Sequence, residues 1–380
     1  MFELTSEQKD IKKAAREFAE GELKEIAREL DEKQHFDEKL WEKAAELGFL
    51  AVFIDEEYGG AGLGYLEHSL ICEELSRIDC GIAHSITSTF FGTQLIKLIG
   101  SEEQKQKYLP MVCGGKAKMG VAITEPDAGS DVSSIKTVAK KDGEDYIISG
   151  NKTFITNANR ADFLIVLCIT NPEAKKKYDR FSTIIVETNR QGYEASKLKN
   201  KLSIRCSDTG EVTFNDVRVP KENLLGKEGK GFYNIMEFLN RSRLEAAGFG
   251  VGTAQGALEK AIDHVRKRKQ FGAPLADSPV VQTKIAEMAT LVEAARCFLY
   301  STSARVDRGE MDHEIIAMTK WYAAEVAVKV SDEAIQLHGG YGVLEEYDVA
   351  HYWRDAKVIE IFEGTKEVEK LIIGKRLLGR

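Results

Sequence analysis

The chain is poor in the residue patterns that bind metals or cross-link a fold. Its six cysteines are scattered without a Cys-x-x-Cys pair, and its seven histidines include no His-Glu-x-x-His motif. We therefore expect no metal site, and reduced, mostly buried thiols rather than disulfides. With only six prolines among 380 residues, and 43% hydrophobic and 30% charged residues, the composition indicates a globular protein rather than a disordered or fibrous one.

Long apolar segments are also missing. The central run from Phe163 to Ile169 is far too short to span a bilayer. The N-terminal sequence MFELTSEQKDIKK contains acidic residues and no apolar core, so we expect neither a signal peptide nor a transit peptide, and a cytoplasmic protein. A net charge of −8 argues against nucleic acid as the main partner.

The common nucleotide-binding and hydrolase motifs are absent as well. No Gly-x-Gly-x-x-Gly follows a predicted strand, and there is no Gly-x-Ser-x-Gly turn. The segment GKEGKGF (226–232) has Phe232 where a phosphate-binding loop requires lysine. Any dinucleotide must therefore be held outside a Rossmann framework.

Residue patterning divides the chain into three parts, as its length requires. Residues 1–118 have helical periodicity, beginning with a predicted capping box of Thr5 and Gln8. Residues 119–225 contain short runs rich in Val, Ile, Thr and Phe, which predict a β-domain. Residues 226–380 return to helical periodicity in four segments, roughly 231–271, 280–308, 313–338 and 345–376, which predict an antiparallel four-helix bundle. The predicted fold class is α+β.

Two segments of the β-domain are candidate binding elements. ITEPDAGSD (123–131) leaves a predicted strand with small residues that would allow close approach to a phosphate, and the alternative, which the segment alone favours, is a tight turn between strands. NKTFITNA (151–158) places Phe154 and Thr156 on one side of a strand, where they could cover a flat ring and bond to its edge. The alternative is a core Phe beside an exposed Thr.

Two helix ends in the last part are also candidates. HVRKRKQFGAPL (264–275) has four successive basic residues, so that Arg268 could neutralise a pyrophosphate and Phe271 could flank an adenine. A basic last turn also suits the helix dipole alone. QLHGGYG (336–342) is either an ordinary helix C-cap or a backbone surface that contacts a ligand.

The segment IFEGTKEVE (361–369) is the candidate for catalysis. Glu363 lies between Ile361, Phe362 and Gly364, just before a helical segment. A carboxylate in apolar surroundings has a raised pKa, which a general base at neutral pH needs. The alternative is a surface Glu that favours the helix start for dipole reasons.

In this order, the motifs resemble the acyl-CoA dehydrogenase family. The segments GSEEQKQKYLP (100–110), RCSDTGEVTFNDVRVP (205–220), ENLLGKEGKGF (222–232) and RDAKVIEIFEGT (354–365) extend the resemblance from the first helix to the C-terminus. The resemblance implies an N-terminal α-helical domain, a middle β-domain and a C-terminal four-helix bundle. It also implies a homotetramer that binds FAD at subunit interfaces and passes electrons to an electron-transferring flavoprotein.

The resemblance also implies roles for individual residues. Glu363 would remove the α-proton of an acyl-CoA thioester while hydride passes to flavin N5, giving the enoyl-CoA. Phe154 would lie against the flavin, with Thr156 near N5. The other implied cofactor contacts are Thr124, Ser130, Arg268, Gln270, Phe271, Gln336, Gly339, Gly340, Thr365 and Glu367, with Arg268, Gln270 and Phe271 supplied by a neighbouring subunit. The implied substrate contacts are Ser130, Asn240, Arg243 and Gly364.

Two positions depart from the family pattern. Asn240 stands where many relatives have Asp, and Glu245 stands where the residue is usually small or apolar. Some relatives carry the base on the same helix, immediately before the matched arginine, but that position is Ser242 here. We therefore predict that Glu245 is not the base, and that it is structural or binds part of the substrate.

The acyl group is predicted to be compact and uncharged, whether short, branched or cyclic. Phe90 and Phe91 stand in the segment that lines the acyl pocket in the family, where relatives often have Ser and Leu. Either one ring enters the pocket or both pack in the core. An acyl-CoA oxidase or an enoyl-CoA reductase would share the fold, and a non-catalytic helical interaction protein is the alternative from another class.

Overall fold

The computed structural model describes residues 3–379, and its N-terminal part is helical. The predicted capping box is confirmed, since the Gln8 N–H donates to Thr5 Oγ1 and the Thr5 N–H donates to Gln8 Oε1. The helices are α1 Ser6–Phe18, which continues into a π-helical turn Ala19–Leu23, α2 Ala27–Lys33, α3 Glu38–Glu46, α4 Tyr65–Ser76, α5 Cys80–Thr87, α6 Phe90–Ile99 and α7 Glu102–Cys113.

The middle part is a mixed β-sheet. Its strands are β1 Met119–Ala122, β2 Val138–Asp142, β3 Asp145–Thr156, β4 Phe163–Ile169, β5 Phe181–Glu187, β6 Tyr193–Lys197, β7 Thr209–Pro220 and β8 Leu224–Leu225. They run in the order β6-β7-β3-β2-β4-β5-β8, and β1 pairs in parallel with β4. Every residue of β4 is buried, because the sheet is covered on both faces at that strand.

The C-terminal part is helical and is built around one long helix. Its elements are α8 Gly231–Lys267, a hairpin of β9 Lys269–Gln270 and β10 Ala273–Pro274, α9 Pro279–Asp307, α10 His313–His338, α11 Val349–Ile359 and α12 Lys366–Leu377. The prediction of a single helix over 345–376 is wrong. Glu363 and Gly364 have φ values of +54° and +98°, which end one helix and redirect the chain into the next.

Close packing of α8 explains two of its glycines. A Cβ on Gly252 would lie 2.2 Å from the Glu73 carbonyl oxygen of α4, and one on Gly250 would lie 2.8 Å from the Ala323 carbonyl oxygen of α10. The two glycines therefore allow α8 to approach a helix on either side.

Two further predictions concern the cysteines and membrane-spanning segments. All six cysteines are free thiols, and five of them are buried, with Cys297 exposed, so the prediction of mostly buried thiols is confirmed. Among the described residues, no helix combines the length and the apolar character needed to cross a membrane.

Candidate active site

Glu363 lies in the turn between α11 and α12. Its left-handed backbone turns the side chain back towards α8, where the carboxylate accepts a hydrogen bond from the Ser242 hydroxyl. The next helix begins immediately, because the Thr365 hydroxyl accepts from the Val368 N–H and caps α12.

The electrostatic surroundings of Glu363 suit a general base. Burial raises the pKa of Glu363 to about 7, the hydrogen bond from Ser242 opposes that rise, and the nearby Glu245 carboxylate adds to it. A carboxyl group with a pKa near neutrality is both available and basic at physiological pH.

A network of buried polar groups fixes the Glu363 turn. The Arg243 guanidinium donates to Glu369 Oε1 over 2.8 Å and to Asn240 Oδ1 over 2.6 Å. Lys320 of α10 donates to the Gly364 carbonyl oxygen over 2.5 Å, and its burial lowers the pKa of the ammonium group to about 8. These contacts fix the turn, so that the position of Glu363 is set by three elements of the C-terminal part.

Sequence reasoning missed Lys320 and Glu369. Both lie on helices among buried residues such as Ile316, Ala323 and Ile373. The only signal in the sequence is a charged residue at the spacing of an apolar helix face. Because the two side chains meet their partners only in the folded chain, that signal does not name the partner.

The strand that carries Phe154 and Thr156 is irregular. The pairing of β3 with β7 shifts register between Lys152 and Ile155, and Phe154 within this bulge has a φ of +57°. The Phe154 ring is 67% exposed and Thr156 is half-buried, with Ile155 buried between them. The alternative of a core Phe is therefore wrong, and both side chains lie on the open side of the strand.

The loop at 123–131 is held by a buried ion pair rather than by turn geometry alone. Lys152 of β3 donates to Glu125 Oε1 over 3.0 Å and to the Ile123 carbonyl oxygen over 2.8 Å. The other Glu125 oxygen accepts from the Lys136 N–H. Burial alone would raise the pKa of Glu125, but Lys152 lowers it below its ordinary value, and burial lowers the pKa of Lys152 in turn. Thr124 is half-buried in this loop and Ser130 is exposed at its tip.

Helix α5 and its C-cap residue Ser88 link the Glu363 turn to β3. The ring of His84 lies 5.8 Å from that of Phe362, and the Ser88 hydroxyl accepts from Asn157 Nδ2 over 3.0 Å. Since Asn157 directly follows Thr156, the β3 bulge and the Glu363 turn both contact the same helix.

Known proteins match this chain along its whole length. The sequence models of the acyl-CoA dehydrogenase N-terminal, middle and C-terminal domains match residues 5–116, 120–217 and 229–378. The chain belongs to the acyl-CoA dehydrogenase family. The predicted family and its order of domains, α-helical, β and α-helical, are thereby confirmed.

Three similar proteins illustrate the range of this family. The acryloyl-CoA reductase (NADH) of Anaerotignum propionicum is 39% identical over 100% of this chain and 96% of its own length. The butyryl-CoA dehydrogenase of Megasphaera elsdenii superimposes with a TM-score of 0.96 and 36% identity, covering both chains fully. A chain from a structure of the electron transferring flavoprotein of Acidaminococcus fermentans gives a TM-score of 0.97 and 38% identity, also over both full chains.

Acyl-CoA dehydrogenases are flavin-dependent, and a second group of residues has the chemistry to hold part of such a cofactor. The Arg268 guanidinium lies 5.2 Å from the ring centroid of Tyr341, beside a cleft of about 470 Å³ that is also lined by Lys260, Lys267 and His338. Phe271, with a φ of +50°, is fully exposed in the β9–β10 hairpin. The structure thus brings the basic helix end and the QLHGGYG turn together.

This second group is separate from the Glu363 site in one copy of the dehydrogenase chain. Within residues 3–379, no hydrogen bond, ion pair or ring contact joins Arg268 or Phe271 to Phe154 or Glu363. Gln336, Gly339 and Gly340 are exposed at the end of α10, and a Cβ on either glycine would meet no described atom within 4 Å. The backbone there is open to a ligand.

Both candidate pocket rings are buried in the dehydrogenase chain. Phe90 and Phe91 belong to one hydrophobic cluster, with their ring centroids 6.1 Å apart in an edge-to-face arrangement. Phe90 stacks on His68 at 4.5 Å, and Phe91 contacts Phe238 of α8 at 5.9 Å. The structure therefore agrees with the alternative in which both rings pack in the core.

Two buried clusters of potential ligand side chains were not predicted. They are His68, Cys72 and Glu245, and Asp79, His351 and Asp355. In each cluster two members lie four residues apart on one helix and the third comes from a distant part of the chain, so the local pair alone does not identify the cluster.

Proposed function

We propose that the protein is an FAD-dependent acyl-CoA dehydrogenase, in which Glu363 removes the α-proton of an acyl-CoA thioester to give the enoyl-CoA. The observation that carries the proposal is the Glu363 carboxylate, held by Ser242 in a left-handed turn with its pKa raised by burial to about 7. A pKa in this range is what proton abstraction at neutral pH requires.

The backbone of Glu363 supports the same chemistry. Within residues 3–379, no backbone hydrogen bond uses the Glu363 N–H. That N–H can therefore donate to the thioester carbonyl and stabilise the negative charge that develops as the α-proton leaves. Gly364, also a proposed substrate contact, permits this geometry because its left-handed φ disfavours any residue with a Cβ.

The residues of this chain fit FAD when two copies contribute. When bound, FAD supplies the acceptor for the hydride of the β-carbon. Exposed Phe154 and half-buried Thr156 offer a ring face and a hydroxyl, beside Thr124 and Ser130. We propose that the remaining contacts are those of Thr365 and Glu367 and, from the separate basic group, Arg268, Gln270, Phe271, Gln336, Gly339 and Gly340.

A homotetramer would bring the two groups together. The fully exposed Phe271 ring, together with exposed Val280 and Val343 on neighbouring elements, is apolar surface of the kind that a second copy buries. Arg268 makes no ion pair with an acidic side chain within residues 3–379, so it is available to a diphosphate.

The CoA portion is assigned to Ser130, Asn240 and Arg243. Arg243 is buried and donates to Asn240 Oδ1, which leaves the amide hydrogens of Asn240 free to donate to a ligand. We therefore propose that Asn240 makes the direct contact and that Arg243 acts mainly by orienting it.

The electron partner is proposed to be an electron-transferring flavoprotein. The likeness to a chain from the electron transferring flavoprotein structure of Acidaminococcus fermentans supports this partner. The likeness to an acryloyl-CoA reductase favours a second candidate function, reduction of an enoyl-CoA by the same site. Buried free thiols suit a reducing compartment, and we propose the cytoplasm.

Turnover with a panel of acyl-CoA thioesters and an artificial electron acceptor tests the function and its substrate class. We expect butyryl-, isobutyryl- or cyclohexanoyl-CoA to have a higher kcat/KM than octanoyl- or glutaryl-CoA. Phe90 and Phe91 pack in the core against His68 and Phe238, where their bulk leaves less depth for a long chain, and a distal carboxylate would lack a partner. Preference for octanoyl- or glutaryl-CoA would contradict the compact acyl group. Failure of all five to reduce the acceptor would contradict the dehydrogenase.

The electron acceptor is tested separately. The reduced enzyme should be reoxidised much faster by electron-transferring flavoprotein than by air, whereas rapid reoxidation by air would indicate an oxidase. Faster turnover of enoyl-CoA with a reduced donor than of acyl-CoA with an oxidised acceptor would favour the reductase.

A further inference from the structure

The most unusual buried group near Glu363 is the Glu245 carboxylate. Glu245 lies on α8 and is 0% exposed. Neither of its carboxylate oxygens has a hydrogen-bond partner within residues 3–379. Buried carboxylates are normally paired or hydrogen-bonded, because burying one alone is costly. Burial raises the pKa of Glu245, and His68 and Thr87 oppose that rise without coming within hydrogen-bond distance, so Glu245 calls for a further partner.

Glu245 faces the same side of α8 as the residue that holds Glu363. It follows Ser242 by three residues, so the two side chains lie on one face about one helical turn apart. The Glu245 carboxylate is near enough to contribute to the raised pKa of Glu363. An acyl group whose α-carbon lies against the Glu363 carboxylate is therefore also next to Glu245.

His68 faces Glu245 across a gap. Its Nε2 atom lies 3.7 Å from Glu245 Oε1, which is too long for a direct hydrogen bond. The ring cannot easily move closer, because Phe90 stacks on it at 4.5 Å and Phe53 packs edge-on against it at 5.8 Å. The packing of the two phenylalanine rings therefore keeps the imidazole nitrogen beyond hydrogen-bond distance of the acceptor oxygen.

We propose that Glu245 and His68 form a polar end to the acyl pocket, which selects an acyl group with a hydroxyl beyond the reacting Cα–Cβ bond. A hydroxyl is both donor and acceptor, so it can donate to Glu245 and accept from the His68 ring. An ammonium group only donates and a carboxylate only accepts, so neither satisfies both sides. An unsubstituted alkyl chain would leave Glu245 unpaired.

A metal ion is the competing occupant, because His68, Cys72 and Glu245 each offer one ligand atom within 4.8 Å of the others. Burial raises the pKa of the Cys72 thiol well above its ordinary value. Since the thiolate is the form that binds metals, this environment disfavours a metal relative to a hydroxyl.

The inference rests on the proposed dehydrogenase function, and the test separates the two. The probes are matched pairs: butyryl-CoA with 4-hydroxybutyryl-CoA, and pentanoyl-CoA with 5-hydroxypentanoyl-CoA. In the wild-type protein, the hydroxylated member of at least one pair should have a kcat/KM at least ~10-fold higher, since a site built to bond a hydroxyl rejects the analogue that lacks it. Turnover of the unsubstituted thioesters alone would keep the dehydrogenase and overturn the inference.

Two variants complete the test. Glu245→Leu should reverse the preference within the responsive pair, and the near-isosteric Glu245→Gln should reduce it while maintaining the fold. The same substitution at an exposed position, Glu17→Leu, is the matched control and should leave the ratio unchanged, because Glu17 is exposed on α1 and pairs there with Lys13. A ratio in Glu245→Leu within twofold of wild type would overturn the inference. So would a metal retained at one equivalent by the wild type and lost in His68→Ala.

Discussion

At the residue scale, the hydrogen bond from Ser242 lowers the pKa of Glu363, the proposed base. A hydrogen bond to a carboxylate favours its ionised form, and the pKa of Glu363 lies near 7 with this bond in place. Because Glu363 must be ionised to accept a proton, turnover should rise with pH through about 7 and be lost below it. The pH range of activity is thus set by the balance between burial and one hydroxyl group.

We predict that Ser242→Ala raises the pH at which turnover reaches half its maximum, on the acid limb of the pH–rate profile, by about one unit. The loss of a hydrogen bond to a charged group costs roughly 1.5–3 kcal/mol, and one pKa unit corresponds to about 1.4 kcal/mol. The measurement is kcat against pH with a saturating acyl-CoA. Ser331→Ala, which removes a bond to the Ala327 carbonyl oxygen in α10, is the control and should not move the limb. An unchanged limb in Ser242→Ala would contradict the account.

Gly364 is predicted to tolerate no side chain. A Cβ at Gly364 would lie 2.2 Å from Glu369 Oε1, and its φ of +98° is unfavourable for other residues. Gly364→Ala should therefore lower the free energy of unfolding by roughly 2–4 kcal/mol and also reduce turnover. Chemical denaturation and kcat are the measurements.

The control for this prediction lies ten residues further along. A Cβ on Gly374 of α12 would meet no described atom within 4 Å. Gly374→Ala should instead be neutral or stabilise by about 0.5–1 kcal/mol, as expected for a helix interior. Equal stability of the two variants would show that the turn at Gly364 is not constrained as described.

Single residues were predictable where one local pattern carried the information. Glu363 was singled out because apolar neighbours and a glycine surround it, and Phe154 because it stands two residues from Thr156. Lys152 and Lys320 were not, because each looks like an ordinary surface charge until its partner is known. Their partners, Glu125 and the Gly364 carbonyl, lie 27 and 44 residues away.

At the scale of elements, periodicity located most helices and strands but not the breaks between them. The run over 345–376 has helical spacing throughout, so the turn at Glu363 was not predicted as a break. Strands β2 and β6 are rich in polar residues, and β6 lies at the end of the sheet with exposed residues at alternate positions, so apolar runs do not indicate either strand. Apolar patterning cannot detect strands that bury little.

The hairpin after α8 is the element on which cofactor retention should depend. We predict that Arg268→Ala weakens FAD retention and the oligomer together, because the guanidinium would leave a diphosphate unpaired at a subunit boundary. The loss of a charged hydrogen bond corresponds to roughly a 10- to 100-fold weaker retention. Flavin content and size-exclusion chromatography of the same sample are the measurements.

Lys13→Ala provides the control for Arg268→Ala. Lys13 is an exposed residue of α1 that pairs with Glu17 at 3.7 Å and does not line the cleft beside Arg268. Its removal should leave both flavin content and oligomeric state nearly unchanged. FAD occupancy in Arg268→Ala equal to that of wild type would contradict the assigned role.

At the scale of the whole molecule, a buried charge cluster joins the three parts of the chain. His351 Nε2 of α11 lies 3.1 Å from Asp355, 3.4 Å from Asp79 and 3.7 Å from Asp31, and the last two belong to the N-terminal part. Asp355 also accepts from the Ile204 N–H of the middle part. The cluster therefore ties the position of α11, which leads into the Glu363 turn, to both other parts.

The charge state of His351 should determine how stability varies with pH. Burial alone would lower the pKa of His351, but the surrounding carboxylates raise it to about 10. Because this folded value lies above the ordinary value of about 6.5, its contribution to stability is complete below pH 6.5. It is then lost as the pH rises through 10.

We predict that His351→Gln lowers the free energy of unfolding at pH 6 by about 3–5 kcal/mol, because it leaves buried carboxylates without a cation. The difference from wild type should shrink above pH 10. Denaturant unfolding at both pH values is the measurement, and His35→Gln at an exposed position is the control. A difference that stays constant or grows with pH would mean that His351 is neutral in the folded protein.

The most direct test of the central claim is turnover of the preferred acyl-CoA by Glu363→Gln. The amide is nearly isosteric with the carboxylate but cannot accept the α-proton, so flavin content and fold should be retained. Loss of a general base typically lowers the rate by ~10²–10⁴-fold, and we expect a decrease of that size in kcat. A kcat within a few-fold of wild type, at equal flavin content, would contradict the assignment of Glu363 as the base.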